Sequence, residues 1–180
     1  MRAACMLLIA LGLVLWTPAV QAERIEVAAS TDEDGLRVAA SGAQGASLVY
    51  RMSAFEMSPM ALDGRTMQTI PLPGVLLPND AGAPNLPGMS GFLALPQGAT
   101  ASIEITRAER RVYTDIDVAP APVIPRENED GPLTYAMNPR IYERNALYPE
   151  SPAILSEPRK LRGVDVVAVG VTPFQYNPVT

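Results

Sequence analysis

Hydrophobic and polar positions along this chain follow the two-residue period of β-strands, and no stretch sustains the 3.6-residue period of an amphipathic helix. Residues 101–106 alternate cleanly, Ile103 and Ile105 against Ser102 and Glu104, which predicts an inward face at odd positions. Further on, Val112, Ile116 and Val118 oppose Tyr113, Asp115 and Asp117, an inward face at even positions. The change of parity requires a bulge or tight turn across residues 107–111. Residues 48–57 read as another strand, with Leu48, Tyr50 and Met52 on one face and Val49, Arg51 and Ser53 on the other. Strand character returns at residue 161. Residues 164–171 are nearly unbroken apolar and β-branched, as expected for a central strand buried on both faces.

Turn chemistry divides these runs. Residues 24–29 and 36–40 flank Thr31-Asp32-Glu33-Asp34-Gly35, a junction suited to a hairpin. Asp63-Gly64 is the strongest hairpin signal, because both residues tolerate positive φ, and residues 65–72 form the return strand. Residues 91–95 make a short apolar strand ended by Pro96-Gln97-Gly98. From residue 119 to 158 the pattern is lost, since Pro120, Pro122, Pro125, Pro132, Pro139, Pro149, Pro152 and Pro158 prevent a regular ladder. One helical turn after Asn138-Pro139 is the most helix this stretch supports. Near the end, Asn177-Pro178 turns the chain and Val179-Thr180 reads as the first step of a further strand, so one or more last strands are expected beyond residue 180. Many short strands with turns between them give an all-β fold: an antiparallel β-sandwich with a long Pro-rich loop.

The N-terminus changes the inventory. Met1-Arg2, the apolar run 6–16 and the small residues around Val20-Gln21-Ala22 form a secretory signal peptide, residues 1–22, leaving a domain of residues 23–180. The apolar run is shorter than the roughly 18 residues a membrane span needs. Cleavage removes Cys5, the one cysteine, and Arg2, so the formal charge moves from −5 to −6. An acidic exported domain argues against nucleic acid and anionic membranes as partners. The sequence contains no histidine. Cys–His and Ser–His catalytic arrangements are therefore excluded within this segment, as are the usual zinc sites, and no cofactor, metal or catalytic residue is expected in it.

Three local features resolve to ordinary structure. Asp32-Glu33-Asp34-Gly35 resembles the opening of a calcium loop but lacks its remaining ligands, and a plain turn accounts for it. Arg107, Arg110 and Arg111 sit where the strand face flips, so a solvated bulge explains them. Tyr142, Tyr148, Phe174 and Tyr176 suit a core edge better than a carbohydrate platform.

An ordered set of motifs resembles the N-terminal propeptide of gingipain-type cysteine peptidases. It comprises Asp63-Gly64, Gly82-Ala83-Pro84-Asn85-Leu86-Pro87, then Phe92-Leu93-Ala94-Leu95-Pro96-Gln97-Gly98-Ala99, Tyr148-Pro149, and Thr172-Pro173-Phe174-Gln175-Tyr176-Asn177-Pro178. The resemblance runs from about residue 48 to residue 180. It implies a β-sandwich prodomain that helps a C-terminal peptidase domain fold and keeps it latent until proteolysis. The implied partner is that peptidase domain, which carries a His–Cys dyad absent from this segment. Such prodomains lay an extended segment across the active-site cleft. Residues 119–132 (APAPVIPRENEDGP) suit that role, because prolines hold them extended and Arg126 is their one basic residue, a substrate mimic if the peptidase cleaves after arginine. A solvated surface loop is the competing reading of Arg126. For the whole chain, the competing reading is a free-standing secreted β-sandwich used for adhesion or ligand binding.

Overall fold

A computed structural model of the chain describes residues 21–27, 33–42, 44–72, 80–127 and 131–180. Its regular structure is almost entirely antiparallel strand. β1 (Glu23–Glu26), β4 (Ala54–Leu62) and β5 (Arg65–Thr69) form one sheet. β2 (Gly35–Gly42) and β3 (Gly45–Arg51) form a separate hairpin. The third sheet is built around β9 (Val164–Val171), with β6 (Met89–Ala94), β7 (Ala153–Leu155) and β8 (Arg159–Leu161) paired to it. The all-β antiparallel fold expected from the two-residue period is therefore observed. The signal peptide expected over residues 1–22 lies almost wholly outside the described residues.

Local turn chemistry accounts for most of this connectivity. Asp63 and Gly64 adopt φ of 50° and 74°, the paired left-handed conformations of a type I′ turn, and close the β4–β5 hairpin at Leu62–Arg65. Arg162 and Gly163, at 49° and 86°, make a second turn of the same kind between β8 and β9. That turn divides the strand expected to run unbroken from residue 161. β9 is the central strand anticipated from its composition. It pairs with β6 from Met89–Val171 to Ala94–Val166, and with β7 and then β8 in succession. Val166, Val167 and Val169 are buried, and each such side chain contributes about 1.5–3 kcal/mol of apolar transfer.

Three expectations about the strands are corrected. The hairpin expected between residues 24–29 and 36–40 is not formed by the described residues. β1 pairs with β4, which sets Ile25 opposite Phe55 at the core, while β2 closes on β3 through Gly42–Gly45. The expected strand 48–57 is broken at Met52-Ser53. There Asp34 accepts the Ser53 N–H at 2.8 Å and its hydroxyl at 2.7 Å, fastening the start of β2 to the β3–β4 corner. Finally, residues 101–106 are not a strand. Ile103 and Ile105 are 39% and 46% exposed instead of inward, because no partner strand lies beside them among the described residues.

The core joins Phe55, Met57, Ile70, Leu86 and Val118, with Ile25, Met52, Ile116, Tyr148, Phe174 and Tyr176 packed around it. The opening of the Pro-rich stretch belongs to this core. The Ala119 N–H reaches Gln68 O at 2.8 Å on one side, and the Asn85 N–H reaches Ala119 O at 2.9 Å on the other. Ala119, Pro120 and Ala121 are consequently buried, so proline here fills the interior without needing to donate. The single helical turn expected after Asn138 is present as α1 (Pro139–Tyr142). Asn138 caps it by accepting the Arg140 N–H at 3.1 Å, and Pro139 opens its first turn. β7 lies in the same stretch, so the region between residues 119 and 158 is partly a built element.

Candidate docking surface

Residues 100–114 form an excursion from these sheets. Its root is firm: the Leu95 N–H, one residue past β6, donates to Asp165 O at 2.7 Å, and a turn at Gly98 brings the Ala99 N–H to Pro96 O at 3.0 Å. Its far end is firm as well. Tyr113 packs edge-on against Phe55, with ring centroids 5.7 Å apart, and the Gln68 N–H reaches Asp117 O at 2.6 Å. Between those anchors, no backbone hydrogen bond among the described residues involves residues 100–114. The chain there is extended and exposed.

The side chains of this segment are only lightly engaged. Arg107 pairs with Glu109 at 2.5 Å, both fully solvated, an arrangement worth little in water. The Arg111 guanidinium reaches Glu26 O at 3.4 Å. The parity change expected across residues 107–111 is located elsewhere. Asp115, at φ 60°, flips the chain so that Tyr113 before it and Ile116 and Val118 after it all face the core. Val112 faces out. The three arginines thus ride on an unpaired extended segment, not on a bulge in a ladder. The sequence signal for this segment is its alternation; a turn at Gly98 precedes it, but no strand pairs with it among the described residues.

Arg126, the residue singled out for an inhibitory loop, is exposed and lies in a different loop. The Val123 N–H meets Thr134 O at 2.8 Å, so that loop is pinched at its base. Of the calcium-like motif, Asp32 lies outside the described residues, and Asp34 spends both carboxylate oxygens on Ser53. Among the described residues, no group of three or more acidic side chains is arranged to hold a metal.

The aromatic residues form a core edge, as expected. Tyr142 donates to Val118 O at 2.8 Å and stands edge-on to Tyr176, with ring centroids 6.2 Å apart. Burial pushes the Tyr142 hydroxyl well above its ordinary pKa. Tyr148 is pushed up to about 12, first by burial and then by its 2.9 Å hydrogen bond to Asp80. An open groove of about 480 Å³ beside Tyr176 is lined by Glu23, Gln68, Asp115 and Asp117. It offers carboxylates beside the Thr66 and Tyr176 side chains.

Comparison with known proteins accords with this picture. Residues 26–180 match the model of the Propeptide_C25 family. The chain belongs to that family. Gingipain R2 of Porphyromonas gingivalis is 34% identical over 105 residues, covering 57% of this chain and 14% of that protein. Lys-gingipain HG66 of the same organism is 22% identical over 136 residues, covering 72% of this chain and 8% of its own length. The chain thus spans only a small fraction of the length of these curated relatives. Among solved structures, the complex of Porphyromonas gingivalis RgpB pro- and mature domains superposes with a TM-score of 0.73 at 25% identity, covering 81% of this chain and 76% of that one. A structure addressing zymogenic latency of gingipain K from Porphyromonas gingivalis shares the fold, with a TM-score of 0.70 at 20% identity over 88% of this chain and 90% of that one. The propeptide family inferred from the ordered motifs is the family observed.

Proposed function

We propose that this chain is the prodomain of an exported gingipain-like cysteine endopeptidase, acting as its intramolecular chaperone and holding it latent until proteolysis removes the prodomain. The observation that carries this reading is the unpaired, extended segment 100–114, anchored at both ends within a propeptide-family fold. A segment of this kind lets a partner's cleft pair with its main chain while alternate side chains enter pockets. Because both ends are fixed, less ordering entropy is lost on docking than for a free tail. Arg107, Arg110 and Arg111 offer basic side chains to such a pocket, and Arg126 offers another from its pinched loop. Residues 1–22, with the features of a signal peptide, support export, and among the described residues no helix is long and apolar enough to cross a membrane. The adhesion-module alternative has no comparable support, since the family match runs through residue 180.

The test adds the chain from Glu23 onward to the peptidase domain encoded with it. Dose-dependent inhibition in trans and a raised refolding yield of the peptidase are expected; neither effect at saturating prodomain would overturn the reading. A triple substitution Arg107→Ala, Arg110→Ala and Arg111→Ala is expected to weaken inhibition more than Arg126→Ala. The opposite order would move the substrate-mimic role to Arg126.

A further inference from the structure

We propose that β3 offers its outer edge to β3 of a second copy of this chain, so that two β2–β3 hairpins join into one four-stranded antiparallel sheet. The proposal concerns the chain with itself and stands apart from the prodomain reading.

The hairpin is fastened at its base and bare beyond it. Asp34 ties the start of β2 to Ser53, and a Cβ added at Gly35 would lie 3.8 Å from Met89 Cε in β6. From there the two strands pair only with each other, as far as Gly42–Gly45. Among the described residues, no bridge or loop hydrogen bond reaches the outer edge of β3. No residue of either strand is buried, and Val38 and Val49 are 53% and 39% exposed. Leu36 beside Tyr50 and Val38 beside Leu48 set an apolar stripe along one face. A two-stranded ribbon is marginal in water and gains stability when further strands extend it.

Three observations select a second copy as the source of those strands. The first is charge. Residues 38–50, between Arg37 and Arg51, include no charged side chain, on a chain of net charge −5. Two copies repel over most of their surface but meet here without like charges touching. The second is the lack of edge protection. β2 is interrupted by a bulge between Val38 and Ala40, whereas β3 pairs without a break from Gly45 to Arg51. β3 contains no proline, and its one charge stands at its last residue, so the usual devices that blunt an edge are missing from its length. The third is symmetry. In antiparallel pairing a strand edge is complementary to its own copy, because a twofold axis turns its row of N–H and C=O groups onto the matching row. Centred on Leu48, that pairing sets Ser47 opposite Val49, Ala46 opposite Tyr50 and Gly45 opposite Arg51. The two apolar stripes then share one face, and the basic ends stay apart.

The experiment follows the chain from Glu23 onward by sedimentation equilibrium up to about 300 µM, a range that captures a small interface. A reversible monomer–dimer equilibrium is expected. Ser47→Glu together with Val49→Glu places like charges opposite one another twice across the axis and should weaken dimerisation about 30-fold. Ser47→Lys together with Val49→Lys should do the same, and mixing the two double variants should restore a mixed dimer of near wild-type affinity. Both positions are exposed, so restoration on mixing also shows that the variants are folded. Residues 23–180 contain no cysteine, so Leu48→Cys gives a second readout that needs no charge: air oxidation should link two copies through the axis. A wild-type chain that stays monomeric throughout the range would overturn the proposal. So would a dimer that the glutamate pair leaves within about two-fold of wild type, or a Leu48→Cys chain that dimerises without cross-linking. A monomeric wild type whose glutamate variant loses binding to the peptidase domain would assign the edge to that domain and overturn the proposal as well.

Discussion

Phe55 and Phe174 meet edge to face, their ring centroids 5.0 Å apart and their planes at 72°. Phe55 belongs to β4 in the first sheet, and Phe174 follows β9 in the third, so this contact fastens two sheets to one another. Tyr113 adds a second edge contact to Phe55 at the end of the 100–114 excursion. Phe55→Ala is expected to lower unfolding free energy by about 3–5 kcal/mol, since it empties a shared junction and removes two ring contacts. Phe55→Leu, which restores most of the volume, should cost about 1.5 kcal/mol. Urea unfolding measures both. Equal losses for the two variants would mean that the junction depends on aromatic geometry and not on filled volume.

Two glycines separate backbone crowding from side-chain crowding. At Gly82 the backbone has φ 84°, and an added Cβ would lie 2.8 Å from Ala136 O and 3.3 Å from Asn138 N, main-chain atoms that cannot turn away. Gly82 also bonds Ala121 on one side and Asn138 on the other, so any shift there spreads to both. Gly82→Ala should therefore destabilise by about 2–3 kcal/mol. At Gly170 the added Cβ would meet only Ile154 side-chain carbons, at 2.9 and 3.3 Å. Ile154 is largely exposed and able to swing outward, so Gly170→Ala should cost about 1 kcal/mol. Thermal unfolding of the pair measures the difference; a Gly170→Ala loss as large as that of Gly82→Ala would contradict it.

How much of this was legible in the sequence depended on the distance over which each feature is decided. Asp63-Gly64, the capped turn at Asn138-Pro139 and the apolar run of β9 were readable because their causes are local: positive φ, a side-chain cap, an unbroken β-branched stretch. The pairing of β1 with β4 was not, since the charged junction between residues 31 and 35 looked like the nearest hairpin turn. Only tertiary packing of Ile25 beside Phe55 decides otherwise. Residues 101–106 show the complementary failure. Their alternation is real, but a strand pattern states that a face is to be covered and not which molecule covers it. Arg126 was reached through the prolines around it, whereas residues 100–114 stand out by missing backbone partners, a property no composition reveals.

The tyrosines predict the alkaline limit of stability. Burial raises Tyr50 and Tyr148 from the ordinary 10.0 to about 12, and Tyr142 and Tyr176 are raised as well. The folded chain thus holds protons that the unfolded chain releases near pH 10. Below pH 10 the two states bind equally and stability is unaffected; between pH 10 and 12 the unfolded state holds fewer protons, so stability falls as pH rises. Urea midpoints across that window, followed with tyrosinate absorbance, measure the slope. Tyr148→Phe should make it shallower, at the expense of the hydrogen bond to Asp80. A flat profile with all tyrosines ionising near pH 10 would show that these hydroxyls are solvated.

Limited trypsin digestion offers the most direct check on the unpaired segment 100–114. A protease requires an extended, unpaired stretch to enter its cleft, and residues 100–114 provide one already open, without the local unfolding a strand would need. The first cuts are expected after Arg107, Arg110 or Arg111, ahead of Arg51 and Arg65, which sit in the paired strands β3 and β5. Cleavage there should not release the fragments under native conditions. The N-terminal piece keeps β6, laddered to β9 from Ala94 to Met89, and the C-terminal piece keeps residues 117–121, held between Gln68 and Ala83. Mass spectrometry of the early products identifies the cut, and native gel filtration shows whether the pieces stay together. First cleavage inside β3 or β5, or separation of the fragments once the segment is cut, would mean that residues 100–114 are covered in the folded chain or that they help hold it together.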